Sequence, residues 1–118
     1  MSQIRMVMAQ LNFTVGDIQG NQEKIVKAID QAAAQNADLI VFPELALTGY
    51  LPEDLLTRKD FHQAYEKALR AIIPHSQKID IILGHPQKQG NLTYNAASVL
   101  QQGKIVQTYY KQILPNYG

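Results

Sequence analysis

The chain has 118 residues, 46% of them hydrophobic, a formal net charge of +1 and no cysteine. That is enough apolar material for one packed domain, and it argues against disorder. Near-zero charge without a basic run removes the bulk electrostatic case for nucleic acid, and the lack of cysteine removes disulfides, thiolate metal sites and thiol catalysis by these residues. The start, Met1-Ser2-Gln3-Ile4-Arg5, has neither the charged nor the apolar region of a secretory signal. No apolar run approaches the ~20 residues of a membrane span, so a cytoplasmic protein without membrane contact is expected.

Ile4 to Leu11 is short and dense in apolar residues, and reads as a strand buried on both faces. A loop containing Gly16-Asp17 follows. Asn21 is the expected N-cap of a helix whose Ile25, Ala28, Ile29, Ala32 and Ala33 form one apolar stripe, and Asn36 is its expected end. Asp38 to Phe42 is a second buried strand, stopped by Pro43. Strand, helix, strand with short links implies a βαβ unit and a parallel pair.

Pro43 to Arg58 is a long irregular segment, the kind that often carries function. Phe61, Ala64, Tyr65, Ala68, Leu69 and Ile72 mark a second amphipathic helix, with Asp60 as its cap and Pro74 near its end. Ile79 to Gly84 is a third buried strand. Leu92 to Leu100 and Lys104 to Tyr110 are strands joined through Gln101-Gln102-Gly103, a hairpin that turns the sheet from parallel to mixed. The end, Ile113-Leu114-Pro115-Asn116-Tyr117-Gly118, does not resemble a domain terminus, and further sequence is expected beyond it.

Glu44 directly follows Pro43 at the carboxyl end of a buried strand, the edge at which open α/β sheets bind ligands. A carboxylate there, among Leu45, Ala46 and Leu47, could act as a general base. It could equally be an exposed loop carboxylate. Lys111, just past the last strand, could stabilise an oxyanion or could simply be a surface lysine. Tyr117 could donate a hydrogen bond to a bound polar group or anchor a loop. His62 reads as a surface or half-buried residue and His75 as a cap or solvent group. Gly84-His85-Pro86 lacks the partners of a nucleotide-handling histidine motif. Ser98 lies within a strand, away from any nucleophile elbow. No His, Asp or Glu set has metal-ligand spacing, and no glycine loop of phosphate-binding type is present.

The stretch from Pro43-Glu44-Leu45-Ala46-Leu47-Thr48-Gly49-Tyr50 through Leu51-Pro52-Glu53-Asp54-Leu55-Leu56 resembles the first catalytic segment of the nitrilase, or carbon–nitrogen hydrolase, superfamily. Its second half is similar to the glutaminase domains of glutamine-dependent NAD synthetases. Tyr110-Lys111-Gln112-Ile113-Leu114-Pro115-Asn116-Tyr117-Gly118 resembles the second segment of those domains, and Met8-Ala9-Gln10-Leu11-Asn12 and Gly16-Asp17-Ile18-Gln19-Gly20-Asn21 also fit.

The resemblance implies an α/β fold, the N-terminal part of a nitrilase-type α/β sandwich, with a mixed sheet and helices on one face. Residues 1–118 would be part of a glutaminase domain. It implies a Glu–Lys–Cys triad in which Glu44 is the base, Lys111 steadies the tetrahedral intermediate and Tyr117 helps to bind glutamine. The family's cysteine is not among these residues, so the chain alone is expected to be inactive. No cofactor is expected within it. ATP and Mg would belong, with deamido-NAD, to a separate synthetase domain. An unfinished sheet would expose strand edges and apolar surface, so a homo-oligomer is expected. Two other readings are another amidase of the superfamily, acting on a nitrile, carbamoyl or acyl amide, and a non-enzymatic α/β binding module.

Overall fold

The computed structural model describes residues 3–49 and 59–114. Strand β1 (Met6–Met8), helix α1 (Ile18–Ala34), strand β2 (Leu39–Val41), helix α2 (Lys59–Ile72), a 3-10 turn (Ile73–Gln77) and strands β3 (Asp80–Gln89), β4 (Leu92–Gln101) and β5 (Lys104–Ile113) follow in chain order. The strands form one mixed sheet in the order β1-β2-β3-β4-β5. β1, β2 and β3 are parallel, and β4 and β5 are antiparallel additions.

Both helices cover the same face of the sheet. Ile25, Ile29 and Ala32 of α1 and Tyr65, Ala68, Leu69 and Ile72 of α2 share one core with Ile40, Ile81, Leu83 and Leu100 from the strands. Fully burying an isoleucine or leucine side chain stabilises by about 1.5–3 kcal/mol, so this layer is the main source of stability. The two apolar stripes read from the sequence are the faces that meet it, except that Ala64 of α2 is exposed. Among the described residues no helix lies on the opposite face. Met6 and Met8 of β1 are 56% and 60% exposed. β1 is therefore not buried on both faces as its composition suggested, because the described residues supply a layer on one side only.

Boundaries differ from the sequence reading in ways that matter for the site. Asp17, not Asn21, caps α1, its carboxylate accepting from the Gly20 N–H at 3.0 Å. Asn21 lies inside the helix and is fully buried. Its Oδ1 accepts from the Thr14 N–H at 2.9 Å, and its Nδ2 donates to the carbonyls of Thr14 and Leu47 at 2.8 and 3.2 Å. It ties the loop after β1 to the loop after β2. At the other end the helix stops at Ala34, and Asn36 follows in the left-handed region, φ 63°, as a chain-reversing residue. Asp60 sits within the first turn of α2 rather than ahead of it.

β3 is longer than expected. It runs on through His85 and Pro86 to Gln89 and turns at Gly90-Asn91 into β4. The sheet thus becomes antiparallel one strand earlier than the sequence suggested. The β4–β5 turn lies where the sequence placed it. Gln102 and Gly103 both have positive φ, 53° and 77°, as a two-residue primed turn requires. No helix among the described residues is long and apolar enough to cross a membrane.

Replacing Asn21 with alanine leaves the Thr14 N–H and the Thr14 and Leu47 carbonyls without that partner in a buried setting. Urea denaturation of Asn21→Ala is expected to show a loss of about 2 kcal/mol, within the usual range for orphaned buried polar groups.

Candidate active site

After β2 the chain turns across β3. The Phe42 N–H donates to the Ile82 carbonyl at 2.9 Å, which extends the ladder by one bond before Pro43 ends it. Pro43 to Leu45 then lie directly over Gly84. A Cβ built on Gly84 would stand 2.5 Å from the Pro43 oxygen, 2.7 Å from the Leu45 nitrogen and 2.9 Å from the Glu44 Cα. Only glycine admits this approach. Leu45, next to Glu44, has φ 50°, a left-handed conformation uncommon for a branched residue. It is held there from both sides. Its side chain is 1% exposed, and its carbonyl accepts from Thr48 and Gly49 at 3.2 and 2.7 Å. Strain of this kind persists where surrounding structure over-determines it, which is common at functional sites.

Lys111 reaches the same place from the far strand. Across the β4–β5 ladder Asn95 pairs with Gln112 and Ala96 with Tyr110, so Lys111 is the extra residue of a β-bulge. It is inside β5, not beyond its end as the sequence reading had it. A bulge bends the strand and re-aims one side chain. Here Lys111 Nζ comes within 3.3 Å of Glu44 Oε1. The two residues picked out in the sequence, far apart along the chain, therefore form an ion pair.

A third residue completes the cluster. Asn95 of β4 donates from Nδ2 to Glu44 Oε1 at 2.7 Å. It is 1% exposed, whereas the Lys111 and Glu44 side chains are about half exposed, 48% and 45%. The amide N–H of Asn95, then the hydrogen bond and charge of Lys111, hold the Glu44 carboxyl below its ordinary value of 4.5, against a small opposing effect of burial. The carboxylate is ionised at neutral pH. In water such an exposed ion pair contributes little to stability, about 0–1 kcal/mol. Its interest is chemical: an ionised acceptor beside a cation.

Sequence reasoning missed Asn95. Tyr94-Asn95 sits in the middle of a strand, and a polar residue with no partner nearby in sequence gives no local sign of a contact with Glu44. Tyr117 lies outside the described residues. His62 is buried, not half-buried, with Nδ1 2.9 Å from the Tyr65 hydroxyl. His75 stands 3.8 Å from Asp30. His85 is fully buried and faces away from solvent. Its Nδ1 donates to the Pro86 carbonyl at 2.8 Å, which leaves Nε2 to accept from Ser98 Oγ at 2.7 Å. Ser98 in turn lies 2.9 Å from Thr108 Oγ1. This is a closed structural chain. Among the described residues no group of three or more His, Asp or Glu side chains could hold a metal ion.

The chain belongs to the carbon–nitrogen hydrolase family, whose pattern it matches over residues 5–117. Within it, the chain is 46% identical over 117 residues to the glutamine-dependent NAD(+) synthetase of Aquifex aeolicus, covering 98% of this chain and 20% of that protein. The glutamine-dependent NAD+ synthetase of Acinetobacter baumannii, solved in complex with ADP, superposes with a TM-score of 0.85 at 34% identity over 98% of this chain and 22% of its own. That of Cytophaga hutchinsonii gives a TM-score of 0.88 at 31% identity over 99% of this chain and 20% of its own. The chain thus spans about a fifth of the length of these relatives.

Two outcomes test this geometry. Gly84→Ala drives a methyl group into the Pro43–Leu45 backbone, so the Glu44 loop must move. We expect a loss of about 1–3 kcal/mol in chemical denaturation, typical of overpacking, and altered amide shifts from Pro43 to Thr48. His85 gives the pH test. Burial holds its imidazole below the ordinary value of 6.5. The unfolded state then binds more protons than the folded one, so this contribution is intact above about pH 6.5 and is lost as pH falls toward the lower folded value. Unfolding midpoints measured from pH 7.5 down to 5 are expected to fall, and to fall less steeply in His85→Gln.

Proposed function

We propose that the chain forms part of a glutaminase site, in which Glu44 is the general base and Lys111 the cation that steadies the tetrahedral intermediate. The observation that carries this is the 3.3 Å approach of Lys111 Nζ to Glu44 Oε1 through a bulge that singles out Lys111. The substrate assignment leans on the likeness to glutamine-dependent NAD(+) synthetases.

The chain has no cysteine, so the thiol of the proposed triad comes from polypeptide outside these residues. In the proposed reaction Glu44 takes the thiol proton as sulfur attacks the side-chain amide carbon of glutamine. A free thiol is only partly ionised at neutral pH, so a carboxylate that accepts its proton during the attack makes the sulfur reactive, and the nearby Lys111 ammonium favours the thiolate that forms. The carbonyl oxygen becomes an oxyanion, and the Lys111 ammonium offers charge and hydrogen bonds to it. Collapse expels ammonia, the proton returning from Glu44, and leaves a thioester. Water then hydrolyses that thioester to glutamate and restores the thiol. Tyr117 belongs to the proposal as a substrate contact. ATP, Mg and deamido-NAD are assigned to a synthetase domain outside these residues, where the ammonia would complete the amidation to NAD. By the same reasoning the 118 residues alone release no ammonia from glutamine.

A chimera tests the reading: this chain replaces the aligned segment of the Aquifex aeolicus synthetase. Glutamine-driven NAD formation should appear in the chimera. Glu44→Gln and Lys111→Met should each lower it by about 10²-fold or more, the usual weight of a general base or an electrostatic stabiliser, while synthesis from ammonium salts persists. Either variant within threefold of the parent chimera on glutamine would sink the assignment for that residue.

A further inference from the structure

We infer that Asn95 is a positioning residue for Glu44: it anchors Oε1, which leaves Oε2 as the oxygen that takes up the proton. The inference rests on the reading of Glu44 as the base.

Two donors converge on one oxygen. Asn95 Nδ2 lies 2.7 Å and Lys111 Nζ 3.3 Å from Glu44 Oε1. Among the described residues none bonds to Oε2. A carboxylate gripped at one oxygen has its plane and tilt set, and the lone pairs of the other oxygen remain open to an incoming proton.

The orientation of the Asn95 amide is not free. An ionised carboxylate only accepts, so the NH₂ group must face Glu44. That turns Oδ1 the other way, where it is buried and, among the described residues, has no hydrogen-bond partner. Orphaned buried acceptors are rare, and an apolar residue at this position would avoid this one. The contact with Glu44 is the one bond the Asn95 side chain makes among the described residues, and the residue is buried to 1% exposure. The same residue stands opposite the bulge that makes Lys111 the extra residue of β5. One position of β4 thus meets both partners, Glu44 through its side chain and Lys111 through the register of its backbone.

A residue that merely fastened the loop would affect stability and leave the acid–base behaviour of Glu44 alone. The test is therefore the titration of the Glu44 side-chain carboxyl, followed by carbon-detected NMR in the 118-residue chain and assigned with Glu44→Gln. Asn95→Leu is expected to raise its midpoint by roughly half a unit to one unit, as loss of a charge-stabilising hydrogen bond does, and by more than Lys111→Met. Asn95→Asp nearly preserves the shape of the side chain and guards against a leucine variant that does not fold. Its carboxylate cannot donate when ionised, so the apparent titration of the pair should move upward. An unchanged Glu44 midpoint in Asn95→Leu, or in Asn95→Asp if leucine is not tolerated, overturns the inference. The catalytic reading fails separately. Should Glu44→Gln in the chimera stay active while Asn95→Leu shifts the titration, the anchoring stands and the role of base falls.

Discussion

The site depends on one close approach, that of the Pro43–Leu45 backbone to Gly84. Without a side chain on Gly84, the segment after β2 can lie on β3 instead of arching away from it. The approach brings Glu44 over the sheet, within reach of β4 and β5. The rest of the local structure holds it in place. Leu45 accepts a left-handed backbone because its side chain is buried and its carbonyl is bonded twice. Asn21 bonds the Leu47 carbonyl from inside α1, and the Gly16 N–H donates to the Thr48 carbonyl at 2.9 Å. The first loop of the chain thus braces the second, and a helix residue with no chemistry of its own fixes where the carboxylate stands.

The sheet divides the labour between its faces. Leu100, Ile81 and Leu83 point into the helix-covered core. Side chains alternate along a strand, so Asn95, Ala97 and Val99 of β4 point to the opposite face, as do Met6 and Met8 of β1. Gly84 lies on that opposite face as well, since it alternates with Leu83. The packed side supplies the stability and the bare side carries Glu44, Asn95 and Lys111. This separation keeps the polar cluster off the face that packs against the helices. It also explains why the two antiparallel strands matter. They extend the sheet past the end of β2, to where Glu44 has already left it.

Much of this was legible in the sequence, and the failures have physical causes. The helical stripes of Ile25, Ile29 and Ala32 and of Tyr65, Leu69 and Ile72 announce their faces, because period is a local property. Glu44 and Lys111 stood out by position and, more strongly, by the motifs around them. The β3–β4 hairpin is not legible although Gly90-Asn91 is a turn signal, because a proline at position 86 reads as a strand breaker. In fact Pro86 sits within β3, beside the point where β2 has ended and no neighbour there requires its missing N–H. Asn21 reads as a cap by residue type, but the carboxylate of Asp17 reaches the helix start first. The bulge at Lys111 and the role of Asn95 could not be read, since both follow from pairing between strands.

The cluster also carries a tension between being ionised and being basic. The donors that keep Glu44 charged, Asn95 foremost, also lower its affinity for the proton a base must accept. Exposure adds to this, since water solvates the carboxylate on its open side. Burial is the one influence acting in the other direction, and here it is slight because the side chain is about half exposed. Polypeptide or substrate laid over the bare face would remove that water, raise the proton affinity of Glu44 and leave its two donors in place. The hydrogen bonds then hold the geometry while the cover sets the basicity. In the proposed role Glu44 is thus an oriented but weak base, and covering the face is what would bring its strength closer to that of a working one.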